Sequence, residues 1–531
     1  MVASLSELEI TQFSSQMLTK NTEKYLDFET CKDVLANLRE QNRKVVLCHG
    51  VFDLLHPGHI AHLQEAKALG DVLVVSITAA PYVNRGPGRP VFSDDLRLYS
   101  LASLACVDYV LLAPVATALD VLDRVQPNFY CKGHEYADHS QDVTKNIDRE
   151  ADRVQAYGGE IRYTGEIVFS STKLLNNYTD VLPPHIKSYA IQLTQQHPFE
   201  AIRKGVDAMQ KLKVLVLGDV IIDEFVHCTV QGLTSKGRVI STRFLKKDQH
   251  LGGSLAIARH IASFVDSVTV AGVVGNEPDI HSLILNNING GIRLDLQYEN
   301  GAATTTKRRY IERQGMRDDY TKLFSINELQ EEGPAPNQRQ NLLDRLRKTI
   351  RDYDMVVVAD YGHGLLDTEL MDLVQSEARF LALNCQTNSA NYGYNLITKY
   401  RRADVFCLDE QELRLAFSSR YGDHNYLLKG LFQNLDAQQG WLTLGSSGAL
   451  GINGKGEEDL SPAMTLAVKD TIGAGDAFFA LASLSAKLEL PIAVGSLLGN
   501  LAGAIAANTL GNAEPVEKAR LLKFATTVLK V

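Results

Sequence analysis

The stretch "KVVLCHGVFDLLHPGHIAHL", residues 44–63, decides the fold of the first part of the chain. An apolar run typical of a buried strand is followed by a loop that contains Gly50, and then by a helical pattern that begins near a Pro-Gly pair. "DVLVVSIT" and "SDDLRLYSLASLA" repeat this order of strand and helix farther along the chain. Strands that alternate with helices are typical of a parallel sheet with helices on its faces, so we predict an α/β fold.

A second α/β region begins at "KVLVLGDVIIDEF", residues 213–225. The stretch before it carries Pro183-Pro184 and then helical spacing, which indicates a connector. Two cores are reasonable for this length, because a single core stops growing at about 250 to 300 residues. We therefore predict a polar leader over 1–25, a first domain over 26–180, a helical linker over 181–211 and a second domain over 212–531.

The composition excludes several classes of partner. Lysine and arginine number 54 and aspartate and glutamate 63 among 531 residues, so the net charge is −9 and gives no general affinity for nucleic acid or anionic membranes. The seven cysteines are scattered without C-x-x-C spacing, which favours reduced thiols. The N-terminus lacks the pattern of a secretory signal, and no stretch is long and apolar enough to span a bilayer. We expect a cytoplasmic protein without nucleic-acid partners and without membrane insertion.

Two histidines, His56 and His59, fall at the predicted start of the helix in the opening stretch. Residues three apart share one helical face, and the N-terminus of a helix attracts anions, so the pair would make a phosphate site. A metal site is the alternative, although H-x-x-H alone supplies only two ligands. A histidine without a functional role is the third interpretation, and we prefer it for His62.

The string "GVFDLLHPGH" resembles the G-x-F-D-x-x-H-x-G-H signature of the nucleotidyltransferase superfamily that includes cytidylyltransferases and sugar-nucleotide adenylyltransferases. "NRGPGRPVFSDDLR", "YCKGHEY" and "FSSTKLL" resemble the later segments of that superfamily, in the family's order over about residues 44–180. The resemblance implies a Rossmann-like domain. In such a domain a sugar phosphate oxygen attacks the α-phosphate of a nucleoside triphosphate, and pyrophosphate leaves.

This resemblance gives the residues of the first domain their expected roles. His56 and His59 would stabilise charge on the reacting phosphates, and Asp53 would orient the loop. Contacts to the nucleotide are implied for Gly50, Val51, Phe52, Asp53, Arg85, Arg97, Lys132, Ser171 and Thr172. Arg85 stands where the family carries lysine, which keeps the charge but changes the geometry. For Arg97, a solvated charge on the helix surface is the alternative.

In the second domain, "VKDTIGAGDAFFALASL", residues 468–484, places Gly473, Ala474 and Gly475 before a predicted helix. Backbone N–H groups at such a helix start can bind a phosphoryl group in transfer. Asp476 at the same place could take the proton from an attacking hydroxyl. The alternative is a glycine-rich turn with an aspartate that the helix dipole favours.

This second string resembles the D-T-x-G-A-G-D signature of the ribokinase-like, or phosphofructokinase-B, sugar kinases, with supporting matches over residues 212–531. The resemblance implies a ribokinase-like α/β domain with a small β-lid, in which Asp476 is the catalytic base. It implies nucleotide contacts at Thr443, Gly445, Gly448, Gly473, Ala474 and Gly475. It implies substrate contacts at Asp223, Gly252, Gly253, Lys307 and Arg308. Asp409 and Glu412 would act on Mg²⁺ through water.

Two departures from the kinase pattern indicate an altered sugar pocket rather than a lost activity. Ala256 stands where the family carries a sugar-binding asparagine, and "LALNCQTN" lacks the usual residues after its strand. The segment "HCTVQGLTSKGRVISTRFLKKDQH" occupies the place of the lid, which in relatives often pairs with a second subunit. We therefore expect a homodimer through the kinase domain.

Together the two domains resemble the bifunctional heptose kinases/heptose-1-phosphate adenylyltransferases, with the domain order reversed. The resemblance implies a kinase that uses ATP on a sugar or sugar phosphate, and a transferase that joins a sugar 1-phosphate to ATP or CTP. Two alternatives remain open: CTP-dependent activation of a polyol or small acid phosphate, and a nucleotidyltransferase with a degenerate, regulatory kinase domain.

Overall fold

The computed structural model describes residues 22–83, 89–115, 117–134, 146–164, 182–288, 291–314, 319–330, 332–464 and 468–529. The described residues divide into two compact units. One unit runs up to Lys187 and includes the residues from Leu522 onward, and the other is Ser188–Leu521.

The first unit is a parallel sheet with helices, in the part of it that the structure describes. Its strands are β1 (Tyr25–Leu26), β2 (Val45–Gly50), β3 (Val72–Thr78), β4 (Tyr109–Ala113), β5 (Phe129–Gly133) and β6 (Glu160–Thr164). Its helices are α1 (Cys31–Glu40), α2 (Pro57–Lys67), α3 (Asp94–Ala102), α4 (Ala118–Val125) and α5 (Asn146–Ala156). The strand order is β1-β4-β3-β2-β5-β6, and every neighbouring pair is parallel. The predicted Rossmann-like α/β class is confirmed.

Strand β2 shows how the sheet is covered on both faces. Val45 and Leu47 pack into a core with helices α1 and α4, whereas Val46 and Cys48 pack into a second core with helices α2 and α3. Alternate residues of a strand point to opposite faces, so a strand buried on both faces must be apolar at every position. This is why "VVLC" is continuously hydrophobic.

The order of the strands reverses at β2, which pairs with β3 on one side and β5 on the other. At such a reversal the connections leave in opposite directions and open a crevice at the carboxyl ends of the strands, where ligands bind. Gly50 and Gly133 end the two strands that border this crevice.

The second unit contains a large sheet and a small one among its described residues. Its strands are β7 (Lys213–Gly218), β8 (Val220–Leu233), β9 (Ile240–Gly252), β10 (Ser267–Gly275), β11 (Ile292–Glu299), β12 (Thr306–Gln314), β13 (Asp319–Glu328), β14 (Met355–Asp360), β15 (Leu381–Cys385), β16 (Val405–Asp409), β17 (Gln439–Thr443), β18 (Ala449–Asn453) and β19 (Glu458–Ser461). Helices α6 (Pro184–Gln196) and α7 (Phe199–Ala208) precede them, and α6 crosses the boundary between the units.

The remaining helices of the described chain follow strand β9. They are α8 (Gly253–Ala262), α9 (Pro278–Asn287), α10 (Pro336–Thr349), α11 (Thr368–Glu377), α12 (Glu410–Ala416), α13 (His424–Asn434), α14 (Ala474–Lys487), α15 (Ile492–Ala507) and α16 (Lys518–Leu529). Helices α14 and α15 are buried along most of their length, which explains their apolar sequences.

The large sheet has the described order β11-β10-β7-β14-β15-β16-β17-β18-β19, and only its last two pairings are antiparallel. Its strand order reverses at β7, which lies between β10 and β14. The crevice of this sheet therefore lies where β7 ends at Gly218 and β14 ends at Asp360. Strands β13-β12-β8-β9 form the small sheet, which confirms the predicted β-lid.

Two properties of the described chain concern its thiols and its helices. All seven cysteines are free thiols, and all but Cys106 are buried. None of the helices in the described ranges has the length and apolar character that a bilayer crossing requires.

Gly253, the first residue of helix α8, follows directly after strand β9 of the small sheet. Its backbone conformation gives a test of the fold. Its φ is +56°, and an added Cβ would collide with the backbone oxygen of Asp219. We expect Gly253→Ala to lower the free energy of unfolding of the second unit by about 2 kcal/mol. The substitution forces a residue with a side chain into the left-handed region and also introduces a clash with Asp219. Urea unfolding followed by fluorescence of Trp441, the single tryptophan and fully buried in this unit, measures the change.

Gly454→Ala is the matched control for this measurement. An added Cβ there would meet its nearest neighbour, the Gln438 oxygen, at 3.9 Å, so the midpoint should stay near that of the unaltered protein. Equal midpoints for the two variants would contradict the described start of helix α8.

Candidate active sites

His56 and His59 lie together where helix α2 begins. His56 is the N-cap residue, and its Nδ1 accepts a hydrogen bond from the backbone N–H of His59 at 3.4 Å. The two imidazole rings stack with centroids 3.9 Å apart and an angle of 20° between their planes. The predicted pair is therefore brought together at a helix N-terminus, beside the crevice of the first sheet.

The loop between β2 and α2 has a specific backbone shape. Phe52 adopts a φ of +46°, which is uncommon for a residue with a side chain. Its ring stands edge-on to His59, with the centroids 5.3 Å apart. A Cβ at Gly50 would approach this ring to 3.1 Å, so the small residue lets the loop fold close to the strand. The predicted nucleotide-binding residues Gly50, Val51 and Phe52 thus form one surface beside the histidines.

Asp53 holds a second loop against this surface. Its Oδ1 accepts hydrogen bonds from the backbone N–H groups of Val91 at 2.7 Å and Phe92 at 3.0 Å. Its Oδ2 accepts from the guanidinium of Arg89 at 3.3 Å. Both carboxylate oxygens are therefore directed at the loop that carries Arg89, a cation that the sequence reasoning missed.

Arg97 requires a correction of one of its two interpretations. The residue is 1% exposed, so it is not a solvated charge on the helix surface. It donates to the backbone oxygen of Val51 at 2.7 Å and to that of Thr78 at 3.0 Å, and it pairs with Asp94. These interactions hold the loop between β2 and α2.

Lys132 lies at the end of β5, on the other side of the crevice. Its ammonium pairs with Glu150 at 2.7 Å, and Glu150 also accepts a hydrogen bond from Tyr130 at 3.1 Å. The predicted cation is therefore held in place by a buried carboxylate that the sequence reasoning missed.

The other histidines near this crevice have structural partners. His49 is hydrogen-bonded to Ser76 at 2.6 Å, and burial lowers its pKa to about 3, so it is neutral. His62, for which the sequence favoured no role, is hydrogen-bonded to Thr164 at 2.6 Å. The predicted residues Arg85, Ser171 and Thr172 lie outside the described residues. Within the described ranges, no group of three histidine, cysteine or acidic residues is placed to hold a metal, so H-x-x-H finds no third ligand there.

In the second unit, Asp476 lies in the first turn of helix α14. It is 8% exposed, and its Oδ1 accepts a hydrogen bond from the hydroxyl of Tyr361 at 2.8 Å. Gly473 caps the helix with a φ of +83°, where an added Cβ would collide with the side chain of Asn512. The Ala474 N–H donates to Thr471 at 3.2 Å, so the next N–H groups, beginning with Gly475, are the ones available at the helix start.

Asp223 and Lys307 approach Asp476 from the small sheet. Asp223 is 4% exposed, and its Oδ2 accepts from Asn512 at 3.3 Å. The ammonium of Lys307 lies 5.6 Å from the centre of the Tyr361 ring. Burial lowers the pKa of Lys307, whereas the nearby charges of Asp223 and Asp476 raise it. Two buried carboxylates and one partly buried cation therefore lie near the space in front of the helix start.

Arg308 is the second prediction that the structure corrects. In strand β12, Lys307 pairs in register with Asp223, whereas Arg308 pairs with Glu224. Arg308 forms ion pairs with Glu224 and Glu328 on the opposite face. Arg309 instead donates to Asp223 at 2.6 Å. Alternation along a strand puts Lys307 and Arg309 on one face, so Arg309 is the second cation of this site.

The environment of Asp476 raises its pKa to about 6. Burial is the largest cause; the hydrogen bond from Tyr361 and the charge of Lys307 lower the pKa, and the charge of Asp223 raises it. Asp219, at the end of β7, has a pKa raised to about 7 by burial and by Asp360. Perturbed carboxyl groups in a crevice are typical of active sites.

Gly252 and Gly253 allow a close approach to Asp223 and Asp219. An added Cβ at Gly252 would collide with the carboxylate of Asp223, and one at Gly253 would collide with the backbone oxygen of Asp219. Both predicted glycines therefore lie against residues of the protein in this region.

The predicted nucleotide-binding residues lie farther along the large sheet. Asp409 and Thr443 are register partners at the carboxyl ends of β16 and β17. Gly445 and Gly448 follow with φ of +58° and +101°, and an added Cβ at Gly448 would collide with the backbone of Ser461. The turn after β17 thus depends on glycine, as a loop that approaches a nucleotide closely would require.

Asp409 and Glu412 form a capping box at the start of helix α12. Asp409 accepts from the Glu412 N–H at 2.8 Å, and Glu412 accepts from the Asp409 N–H at 2.9 Å and the Thr387 N–H at 3.2 Å. Burial and the charge of Asp409 raise the pKa of Glu412 to about 8. Three of the four carboxylate oxygens already accept backbone hydrogen bonds, so the pair fits a hard cation held through water better than one coordinated directly.

The departures from the kinase pattern have structural counterparts. Ala256 is buried in helix α8 at 1% exposure. After β15, Asn388 and Asn391 both donate to the backbone oxygen of Tyr361 at 2.8 Å. The atypical segment therefore holds the tyrosine that contacts Asp476. Tyr361 and Asn512 were missed because a single tyrosine or asparagine far along the chain carries no spacing signal.

Two family models match the chain. A model described as "Cytidylyltransferase-like" matches residues 47–225, and one described as "pfkB family carbohydrate kinase" matches residues 211–519. The domain order expected from the sequence motifs is confirmed.

Curated relatives match in the N-terminal part. A protein of Pseudomonas savastanoi pv. phaseolicola named "Bifunctional protein HldE" is 41% identical over 136 residues, which cover 25% of this chain and 27% of that protein. The protein of the same name from Syntrophotalea carbinolica is 38% identical over 135 residues, which cover 25% and 26%. The chain thus spans about a quarter of the length of these relatives.

Solved structures match about 60% of the chain. Phosphofructokinase-2 from Escherichia coli in complex with substrates and products has a TM-score of 0.48 and 13% identity, with 59% of this chain and 99% of that chain covered. Ribokinase from Arabidopsis thaliana complexed with ribose and ATP has a TM-score of 0.47 and 15% identity, with 60% and 99% covered.

The corrected position of Arg97 gives a stability prediction. We expect Arg97→Met to lower the free energy of unfolding of the first unit by about 2–4 kcal/mol, because Asp94 and two buried carbonyls lose a charged donor. Calorimetry measures the transition of the first unit, while Trp441 fluorescence should keep its midpoint. In the control, Arg153→Met removes the ion pair between Arg153 and Asp123, whose side chains are 46% and 48% exposed. This variant should lower the free energy of unfolding by less than about 1 kcal/mol. Equal losses in the two variants would contradict the supporting role of Arg97.

Proposed function

Because the chain belongs to the pfkB family of carbohydrate kinases, we propose that its second unit transfers the γ-phosphoryl group of ATP to a hydroxyl of a sugar or sugar phosphate. The first unit couples a sugar 1-phosphate to ATP or CTP and releases pyrophosphate. The chain is then a bifunctional enzyme of sugar-nucleotide biosynthesis, with domains over 26–180 and 212–531, a linker over 181–211 and a leader over 1–25. The shared names of the partial relatives support this combination.

The position of Asp476 carries the kinase assignment. Its carboxylate takes the proton from the attacking sugar hydroxyl, while the N–H groups at the start of helix α14 bind the transferred phosphoryl group. Tyr361 donates to one oxygen of the carboxylate and leaves the other directed at the substrate. A merely structural aspartate at a helix start would not need a buried tyrosine partner and a second carboxylate nearby, so an active kinase is favoured over a degenerate one.

The sugar lies between Asp476 and the small sheet in this proposal. Asp223 accepts hydrogen bonds from sugar hydroxyls, and Gly252 and Gly253 let the chain approach the ring. Lys307 and Arg309, on the same strand face, bind an anionic group of the substrate, a role that Arg308 cannot take from the opposite face. A sugar phosphate similar to heptose 7-phosphate fits this pair of cations.

The adenine nucleotide lies along the ends of β16 and β17, against Thr443, Gly445 and Gly448. Mg²⁺ would be held through water by Asp409 and Glu412, where it would neutralise charge on the triphosphate. Burial and the charge of Asp409 raise the pKa of Glu412, and a cation held here would lower that pKa again by favouring the ionised carboxylate.

In the first unit, His56 and His59 stabilise the charge that develops when a sugar phosphate oxygen attacks the α-phosphate. Gly50, Val51 and Phe52 contact the nucleotide, and Asp53 and Arg97 position them. Further contacts to phosphate or substrate come from Arg85, Lys132, Ser171 and Thr172. CTP-dependent activation of a polyol or small acid phosphate would use the same residues, and the substrate panel described below distinguishes it.

We also propose that the enzyme is a cytoplasmic homodimer that pairs through the small sheet of the kinase unit. Phe244, Phe324 and Ile326 of that sheet are 62%, 46% and 44% exposed, which is costly for large apolar side chains without a partner.

The base assigned to the kinase reaction gives a prediction with a defined pH dependence. Only the ionised form of Asp476 can accept a proton, so kcat should rise as the pH increases through about 6 and then level off. Asp476→Asn should lower kcat by about 10²- to 10⁴-fold and abolish the rise of kcat near pH 6. Formation of ADP with a panel of sugar phosphates measures the kinase, and release of pyrophosphate from the same protein is the internal control. Unchanged ADP formation in the variant would refute the role of Asp476.

The phosphate site of the first unit is tested independently. His56→Ala should slow pyrophosphate release from ATP or CTP with sugar 1-phosphates or polyol phosphates by about 10²- to 10³-fold, because a group that stabilises the transition state is lost. ADP formation by the kinase unit should not change. His185→Ala, an exposed histidine of helix α6, is the matched control. A similar loss in both variants, or in neither, would contradict the phosphate site.

A further inference from the structure

Lys322, on strand β13 of the small sheet, reaches the segment that leads into helix α14. Its ammonium lies 2.7 Å from Oδ1 of Asp470, whose side chain is 1% exposed, whereas that of Lys322 is 47% exposed. Asp470 is six residues before Asp476 and begins the "DTIGAGD" segment. The small sheet therefore has a direct electrostatic contact with the loop that binds the phosphoryl group in the proposed function.

Asp470 also organises two loops of the large domain. Its Oδ1 accepts from the N–H of Ile472 at 3.3 Å, within the glycine-rich loop. Its Oδ2 accepts from the N–H of Gly511 at 3.0 Å, next to Asn512. Asn512 in turn donates to Asp223, and its side chain fills the space against Gly473. One buried carboxylate thus joins the small sheet to both loops around Asp476.

We propose that Lys322 is a positioning residue that couples the seating of the small sheet to the alignment of the glycine-rich loop. Within the part of the chain that the structure describes, it is the one cation in an ion pair with Asp470. A buried carboxylate that loses its counterion is destabilised, so it would turn toward water and release the N–H groups of Ile472 and Gly511. The loop then no longer presents its N–H groups at one point, and phosphoryl transfer slows.

This inference rests on the proposed kinase function and extends it. The small sheet carries the substrate cations Lys307 and Arg309, so a displacement of the sheet that uncovers the sugar site would also take Lys322 away from Asp470. The active loop is then fully aligned only when the sugar site is covered. Such coupling would suppress transfer of the phosphoryl group to water, because the glycine-rich loop is not aligned while the sugar site is open.

The test compares three variants of the full chain. Lys322→Met should lower kcat by about 10- to 100-fold, because a small displacement of catalytic groups has effects of this size, with the KM for ATP changed far less. Lys322→Arg keeps the charge and should restore most of kcat. Lys246→Met removes a similar ion pair of the small sheet, between side chains that are 62% and 33% exposed, and should behave like the unaltered protein.

A second measurement does not depend on enzyme activity. Hydrogen exchange of the Ile472–Asp476 amides should be faster in Lys322→Met than in the unaltered protein, Lys322→Arg or Lys246→Met. If the unaltered protein phosphorylates no sugar, the proposed kinase function fails, and this exchange experiment still decides the coupling. Unchanged exchange in Lys322→Met, no recovery with arginine, or an equal loss of kcat in Lys246→Met would each overturn the proposal.

Discussion

Tyr361 joins the two carboxylates around which the second unit is organised. Its backbone N–H donates to Asp219 at 2.9 Å, and its hydroxyl donates to Asp476 at 2.8 Å. Asp219 follows the last residue of strand β7, and Asp476 lies in the first turn of helix α14, so one residue links the sheet to the helix. The pKa of Tyr361 is raised by burial and by Asp476, which keeps its hydroxyl protonated as a donor. The contacts of Lys307 and of the segment after β15 depend on this arrangement.

A constraint of sheet topology places both candidate sites. A parallel strand that lies between two differently connected neighbours leaves a crevice at its carboxyl end, and each unit has one such strand, β2 or β7, in its described part. In each unit the N-terminus of a helix, α2 or α14, then lies beside the crevice. Phosphate chemistry suits such a place because backbone N–H groups and the helix dipole both favour negative charge. Two phosphate-handling sites in one chain therefore follow from one structural rule applied twice.

Much of this organisation could be predicted from the sequence, because it depends on local patterns. The continuous apolar run of β2 indicated a strand buried on both faces, and "GAGD" before an apolar helix indicated an anion site at the helix start. The fold class and the domain order were confirmed. Residues that act through distant partners were not predictable in the same way. The burial of Arg97 was not predicted, because nothing local shows that its guanidinium turns inward to Val51.

Arg308 is a different kind of error, since a local signal was present. Alternation along β12 separates Arg308 from Lys307 and puts Arg309 on the same face as Lys307. To know which face meets Asp223 also requires the register of β12 with β8, which only the paired strands supply. Tyr361, Asn512 and Asp470 have partners that lie 115, 289 and 148 residues away in the chain, so tertiary structure alone reveals these contacts.

The most direct test of the central claim is a crystal structure of the full chain with a non-hydrolysable ATP analogue and a sugar phosphate. We expect γ-phosphate oxygens within about 3 Å of backbone nitrogens at the start of helix α14, beginning at Gly475, with the Asp476 carboxylate facing a sugar hydroxyl. A γ-phosphate bound away from that helix start, or an Asp476 side chain turned from the substrate, would contradict it.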